Sequence, residues 1–189
     1  MRIIGGKLRG TNLHILKNAS TRPLKDMARE SIFNLLIHSN KVSFNLEKSN
    51  ILDLYSGTGS FGLECLSRQA KHVCFIENEK LAFKILNKNI EKLKVKVKTE
   101  TFFGDVLNIL KKYYFLPGQF DLIFCDPPFK DRNMEELIKL ISKKNLLKKN
   151  GIIILHRNKD QIEKLPDHFA TIDKRIYGVS KIIFGKLLS

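Results

Sequence analysis

The chain has 189 residues, 43% of them hydrophobic and 28% charged, which is enough for one domain with a sizeable core. No apolar run approaches the ~18 residues of a membrane span, and the first residues carry no apolar leader, so a cytoplasmic protein without membrane contact is expected. The formal net charge of +15 points to a polyanionic partner, with nucleic acid ahead of an anionic surface.

The basic charge is not evenly distributed by type. Lysine outnumbers arginine 26 to 8, yet Arg2, Arg9, Arg22 and Arg29 place half of the arginines in the first 29 residues, and no acid precedes Asp26. Arginine binds phosphate bidentately and keeps its charge when desolvated. These four arginines are the expected RNA contacts of a basic N-terminal extension, residues 1–45, packed on a main domain of residues 46–189. Within the extension, Ile3-Ile4 and Leu8 to Leu16 flank Gly5-Gly6, a weak hairpin signal, and Lys25 to Ser39 has helical spacing at Ala28, Ile32, Leu35 and Leu36.

From Asn50 onward strands and helices alternate. Strands are expected over Ile51 to Tyr55, His72 to Glu77, Lys96 to Phe103, Phe120 to Cys125 and Gly151 to His156. Helices are expected over Phe61 to Arg68, Glu79 to Leu93, Val106 to Tyr114 and Met134 to Leu147. Ala170 to Tyr177 and Val179 to Leu188 form a closing hairpin at Gly178. This alternation predicts an α/β fold: a Rossmann-like, doubly wound, mostly parallel sheet with an antiparallel C-terminal hairpin. The lysines of the third expected helix, Glu79 to Leu93, lie opposite Leu81, Ile85, Leu86, Ile90 and Leu93, as on a helix that covers a sheet and leaves its charges in water. Cys65, Cys74 and Cys125 form no CxxC pair and sit among apolar residues, as buried thiols in a reducing compartment. His14, His38, His72, His156 and His168 show no metal-ligand spacing, and no metal site is expected.

Two loops carry the chemistry. The first, Asp53-Leu54-Tyr55-Ser56-Gly57-Thr58-Gly59-Ser60-Phe61-Gly62, follows the first strand of the alternating region and contains GxGxxG. Glycines there permit a tight turn and close approach to a ligand, and Glu77 ends the next strand, where an acid can hold ribose hydroxyls. Asp53 separates two readings. Beside a dinucleotide pyrophosphate it would repel; beside the cationic aminoacyl end of S-adenosylmethionine it would attract. The second loop is Asp126-Pro127-Pro128-Phe129. Two stiff prolines hold carbonyls outward after a buried strand, so Asp126 and the Pro127 carbonyl can accept from an exocyclic NH2 while Phe129 stacks on its ring. Pulling that nitrogen toward tetrahedral geometry frees its lone pair for methyl transfer.

At these residues the chain resembles class I S-adenosylmethionine-dependent methyltransferases. Within that class it is similar to the D-type guanine-N2 methyltransferases of bacterial small-subunit (16S) ribosomal RNA. The resemblance runs through Arg2-Ile3-Ile4-Gly5-Gly6, Arg22-Pro23, Arg29-Glu30, Leu52 to Gly59 with Gly62-Leu63-Glu64, Glu77, Gly104-Asp105 and the Asp-Pro-Pro-Phe loop. It implies that Asp53, Tyr55, Gly57 and Gly59 face the methionine end of the cofactor, that Glu77 holds the ribose, and that Asp105 meets the adenine amino group. Asp105 also has the alternative of capping the helix that follows it. Catalysis falls to Asp126, Pro127 and Phe129, and Pro128 joins the arginines on the substrate side. The implied partner is ribosomal RNA, within an assembled small-subunit particle; a monomer is the default expectation. His156-Arg157 departs from the family pattern, where an acid is expected at the end of the fifth strand. Other readings of the residues are an adenine-N6 or protein-glutamine methyltransferase, a nicotinamide oxidoreductase, and a non-catalytic RNA-binding module.

Overall fold

The computed structural model describes residues 1–16, 26–42, 44–115 and 119–188. Its helices are α1 (Asp26–His38), α2 (Ser60–Ser67), α3 (Lys80–Lys92), α4 (Val106–Lys112) and α5 (Met134–Lys143). Its strands are β1 (Asn50–Leu54), β2 (His72–Glu77), β3 (Thr99–Phe103), β4 (Phe120–Cys125), β5 (Leu147–Asn158), β6 (Phe169–Tyr177) and β7 (Ser180–Leu187). They form one sheet in the order β3-β2-β1-β4-β5-β7-β6. β1 to β5 run parallel; β7 is antiparallel to both β5 and β6. This is the expected doubly wound α/β sheet with its C-terminal hairpin. Among the described residues no helix is long and apolar enough to cross a membrane.

Alternation along the strands divides the core in two. Ile51, Val73, Phe75, Leu122, Phe124, Ile152, Ile154, Ile182 and Phe184 pack on one face of the sheet against α1, α2 and α3. Leu52, Leu54, Cys74, Ile76, Ile123, Cys125, Ile153, Leu155 and Ile183 pack on the other, against α4 and α5. The first face also receives Ile3, Leu13, Ala28, Ile32, Phe33 and Leu36 from the N-terminal extension, so the extension and the main sheet share one core. Phe33 stacks on Phe61, and Phe61 on Phe124, with ring centroids 5.2 and 3.9 Å apart, which carries α1 onto the sheet through α2.

Some boundaries differ from expectation for an identifiable reason. The last helix before β5 stops at Lys143, four residues early, and the strand begins at Leu147. The turn between them puts Asn145 at φ 49°, with Asn145 N–H donating to Ser142 O and Leu146 N–H to Ile141 O. This paired closure of helix carbonyls recurs at Gln69-Ala70 after α2 and Lys94-Val95 after α3. None of the three left-handed positions is glycine, so the residue types there carry no stop signal. Lys96–Lys98, expected as the start of a strand, is a 3-10 turn, and β3 begins at Thr99.

The expected N-terminal hairpin is reduced to one bridge, Arg2 to Asn12, with Ile3 N–H donating to Thr11 O and Leu13 N–H to Met1 O. The loop at its tip docks on the end of α2. Buried Glu64 accepts from the Ile4 and Gly5 amides, each at 2.7 Å, and from Arg68 Nε at 2.9 Å. Gly6 lies at φ +76°, and a Cβ there would come within 2.1 Å of the Ser67 carbonyl, so the Gly5-Gly6 pair is what allows this close approach.

Candidate active site

The strand order reverses between β1 and β4, and open α/β sheets bind ligands outside the carboxyl ends of strands at that point. The strand pattern delivers acids there. Asp53 follows Ile51, Glu77 follows Val73 and Phe75, and Asp126 follows Leu122 and Phe124, all on the face covered by α1, α2 and α3.

Asp53 is 1% exposed, and its Oδ2 accepts from Gly62 N–H at 2.9 Å. Burial holds its carboxyl well above the usual carboxylate range; the Gly62 hydrogen bond opposes this, and the charges of Asp126 and Glu77 add to it. Glu77 is also raised by burial, with partial relief from backbone N–H groups of Glu79, Gly57 and Asn78. Its Oε2 accepts from Gly57 N–H at 2.6 Å and its Oε1 from Glu79 N–H at 2.7 Å, so the acid shapes the glycine loop directly. Desolvating two neighbouring carboxyls is unfavourable without a cation to share them.

The loop glycines divide their work. Gly57 lies at φ +56°, and a Cβ there would meet nothing within 4 Å, leaving its backbone open to a ligand. Gly59, expected to face the ligand in the same way, has φ +86° and packs instead against α3: a Cβ would meet Leu86 Cδ1 at 2.4 Å. Tyr55 is also left-handed, φ 58°, and its phenol is pushed far above its ordinary range by burial and by Asp131, so it stays neutral. Asp105 is exposed, and its Oδ1 caps α4 by accepting from Asn108 N–H at 2.9 Å. The capping alternative raised from sequence is therefore present in the structure.

The Asp-Pro-Pro-Phe loop is held from both sides. Asp126 N–H donates to Leu54 O at 3.3 Å, which ties the loop to the end of β1. Arg157, fully buried on the other face of β5, donates from Nη1 to the carbonyls of Pro127 (3.4 Å) and Pro128 (3.3 Å), from Nη2 to Asp131 O (2.6 Å), and from Nε to Glu163 (2.6 Å). Gln161 Nε2 donates to Phe129 O at 2.8 Å. The Pro127 carbonyl, expected to face a substrate amine, already accepts a long hydrogen bond, which leaves its second lone pair for a substrate. Pro128 is exposed and Phe129 half-buried. The Asp126 side chain is 24% exposed, and its Oδ1 lies 2.7 Å from His156 Nδ1.

The four arginines separate. Arg2 and Arg9 are exposed and line a cleft of about 400 Å³ with Arg68 and Glu30. Arg29 is a correction: it is 0% exposed and donates from Nη2 to Arg2 O at 2.7 Å, so it organises the extension from within and presents no charge to RNA. It lies on the buried stripe of α1 with Ala28, Ile32 and Phe33. Arg22 lies outside the described residues. Asn89 carries no sequence signal of its role. It is buried, accepts from His14 N–H at 2.8 Å, and donates to Thr58 O at 3.0 Å, joining the extension to the glycine loop.

Residues 1–186 match the family described as conserved hypothetical protein 95. The chain belongs to this family. Within the conserved hypothetical protein 95 family, the chain is 34% identical over 180 residues to the ribosomal RNA small subunit methyltransferase D of Haemophilus influenzae, covering 95% of this chain and 90% of that one. It is 32% identical over 174 residues to the enzyme of the same name from Buchnera aphidicola, covering 92% and 86%. A solved structure from Haemophilus influenzae, 31% identical, covers 100% of this chain and 98% of its own with a TM-score of 0.80. One from Escherichia coli, 26% identical, covers the same shares at 0.84. The fold is that of the class I methyltransferases.

Proposed function

We propose that this chain is a methyltransferase of small-subunit ribosomal RNA, using S-adenosylmethionine and acting on the exocyclic N2 of a guanine. The observation that carries this reading is that Glu77 and Asp126 lie within electrostatic reach of buried Asp53 at the carboxyl ends of β1, β2 and β4, with Asp126 partly exposed and the Gly57 turn open. Family relatives named for ribosomal RNA methylation support the substrate class, and a solved neighbour described with S-adenosylhomocysteine supports the cofactor.

The residues fit the cofactor. Asp53 and the Gly57 backbone would hold its cationic methionine end, Glu77 its ribose and Asp105 its adenine edge. When bound, S-adenosylmethionine supplies a methyl group on a positively charged sulfur. Asp126 accepts an N–H of the guanine amine through the carboxylate oxygen that His156 leaves unused. That bond steers the nitrogen lone pair away from the ring and offsets the positive charge growing on it. The same carboxylate can take the amine proton after transfer. Phe129 stacks on the base, worth about 1–3 kcal/mol at single-stranded sites. The base must therefore be unpaired or turned out of its helix. Arg2 and Arg9 hold the RNA backbone.

The test is Asp126→Ala. Tritium-methyl transfer to small-subunit RNA should be lost while calorimetric affinity for S-adenosylmethionine stays within a few-fold. A fully active variant would overturn the assignment. Nucleoside digestion of the wild-type product should give N2-methylguanosine; N6-methyladenosine would redirect it to the adenine reading.

A further inference from the structure

We infer that His156 is a positioning residue for methyl transfer: it fixes the rotamer of Asp126 so that one carboxylate oxygen stays aimed at the reacting amine. This rests on the methyl-transfer reading above and goes beyond it. The ring is 3% exposed, and both nitrogens are engaged, Nδ1 with Asp126 Oδ1 at 2.7 Å and Nε2 with Ser180 Oγ at 2.8 Å. An ionised carboxylate only accepts, so Nδ1 carries the proton and donates to Asp126.

The outer contact is the Ser180 hydroxyl, which holds Nε2 and so fixes the ring from its far side. With Nδ1–H on Oδ1, Oδ2 keeps one direction toward the substrate.

The groups facing the ring are few among the described residues. Asp126 faces it from the end of β4, Ser180 from β7, and the edge of Phe129 from the loop at a 5.8 Å centroid distance. Arg157 is adjacent in sequence but points to the other face of the sheet, where Glu163 and three carbonyls hold it. Lys181 reaches the Gln161 and Lys159 carbonyls.

The experiment measures kcat and KM for RNA in the wild type, His156→Asn, His156→Phe and Ser180→Ala, with calorimetric affinity for S-adenosylmethionine as the control. His156→Phe keeps a ring but offers no donor, and kcat should fall about 10- to 100-fold with KM and cofactor affinity little changed. His156→Asn puts an amide N–H near the place of Nδ1–H and should recover most of the activity. Wild-type kcat in His156→Phe, or a His156→Asn no more active than His156→Phe, overturns the inference. If His156→Phe does not fold, Ser180→Ala decides: releasing the far side of the ring should lower kcat with KM little changed, and an unchanged kcat overturns the inference. The control separates the two levels. Full activity in Asp126→Ala would overturn the methyl-transfer assignment itself; an inactive Asp126→Ala with insensitive His156 variants would overturn only the role of His156.

Discussion

Asp53 brings a carboxyl into the interior at a cost in stability once it is ionised. Because burial raises its carboxyl, the folded protein keeps a proton that the unfolded chain has released. Its contribution favours folding at low pH and is lost as pH rises from the ordinary carboxylate range through the raised value. Asp53→Asn, which can still accept from Gly62 N–H, should therefore gain stability over the wild type as pH climbs through that window. At neutral pH the gain should be on the order of 1 kcal/mol, or about 2–4 °C in Tm, by thermal denaturation. The same variant should bind S-adenosylmethionine at least tenfold more weakly by calorimetry. The acids are legible residue by residue, because each ends a strand with a clear apolar run. The partners of Asp126 are not. His156 and Arg157 lie some thirty residues away, and only the register of β5 beside β4 reveals that one supports the carboxylate and the other the proline carbonyls. Arg29 misleads because a charged side chain in a basic segment gives no sign of burial until its helical stripe is seen with Ala28 and Ile32.

At the scale of elements, the short helix α2 is the hub. Its first turn carries the glycine loop, and its middle residue Glu64 receives two amides of the N-terminal segment and the Arg68 guanidinium. Glu64→Gln would offer one acceptor oxygen to two inward-pointing amides and turn an NH2 toward one of them. Denaturant unfolding should show a destabilisation of about 2–4 kcal/mol, and hydrogen exchange at Ile4 and Gly5 should accelerate beyond the global change. Retained protection at those amides would show that the docking does not depend on the carboxylate. Element type and order are legible from periodicity throughout the alternating region. Helix ends are less so, because Gln69, Lys94 and Asn145 occupy left-handed positions where glycine would have marked the stop.

Across the whole molecule the charge of +15 is dominated by lysine, whereas Arg2 and Arg9 of the extension line one cleft. Replacing Arg2 and Arg9 with Gln should weaken RNA binding and reduce the slope of log K against log salt by about 0.7–0.9 for each phosphate that is no longer neutralised. Filter binding across a range of salt concentrations would measure this, and an unchanged slope would place the RNA elsewhere. The shared packing of Phe33, Phe61 and Phe124 has a further consequence for dissection of the protein. A truncation that removed the first helix would expose Phe61 and the apolar surface of α2 beneath it, and the remainder should self-associate. The N-terminal segment is thus not a detachable tag; a graft of it onto another enzyme would have to bring its own floor of aromatic rings.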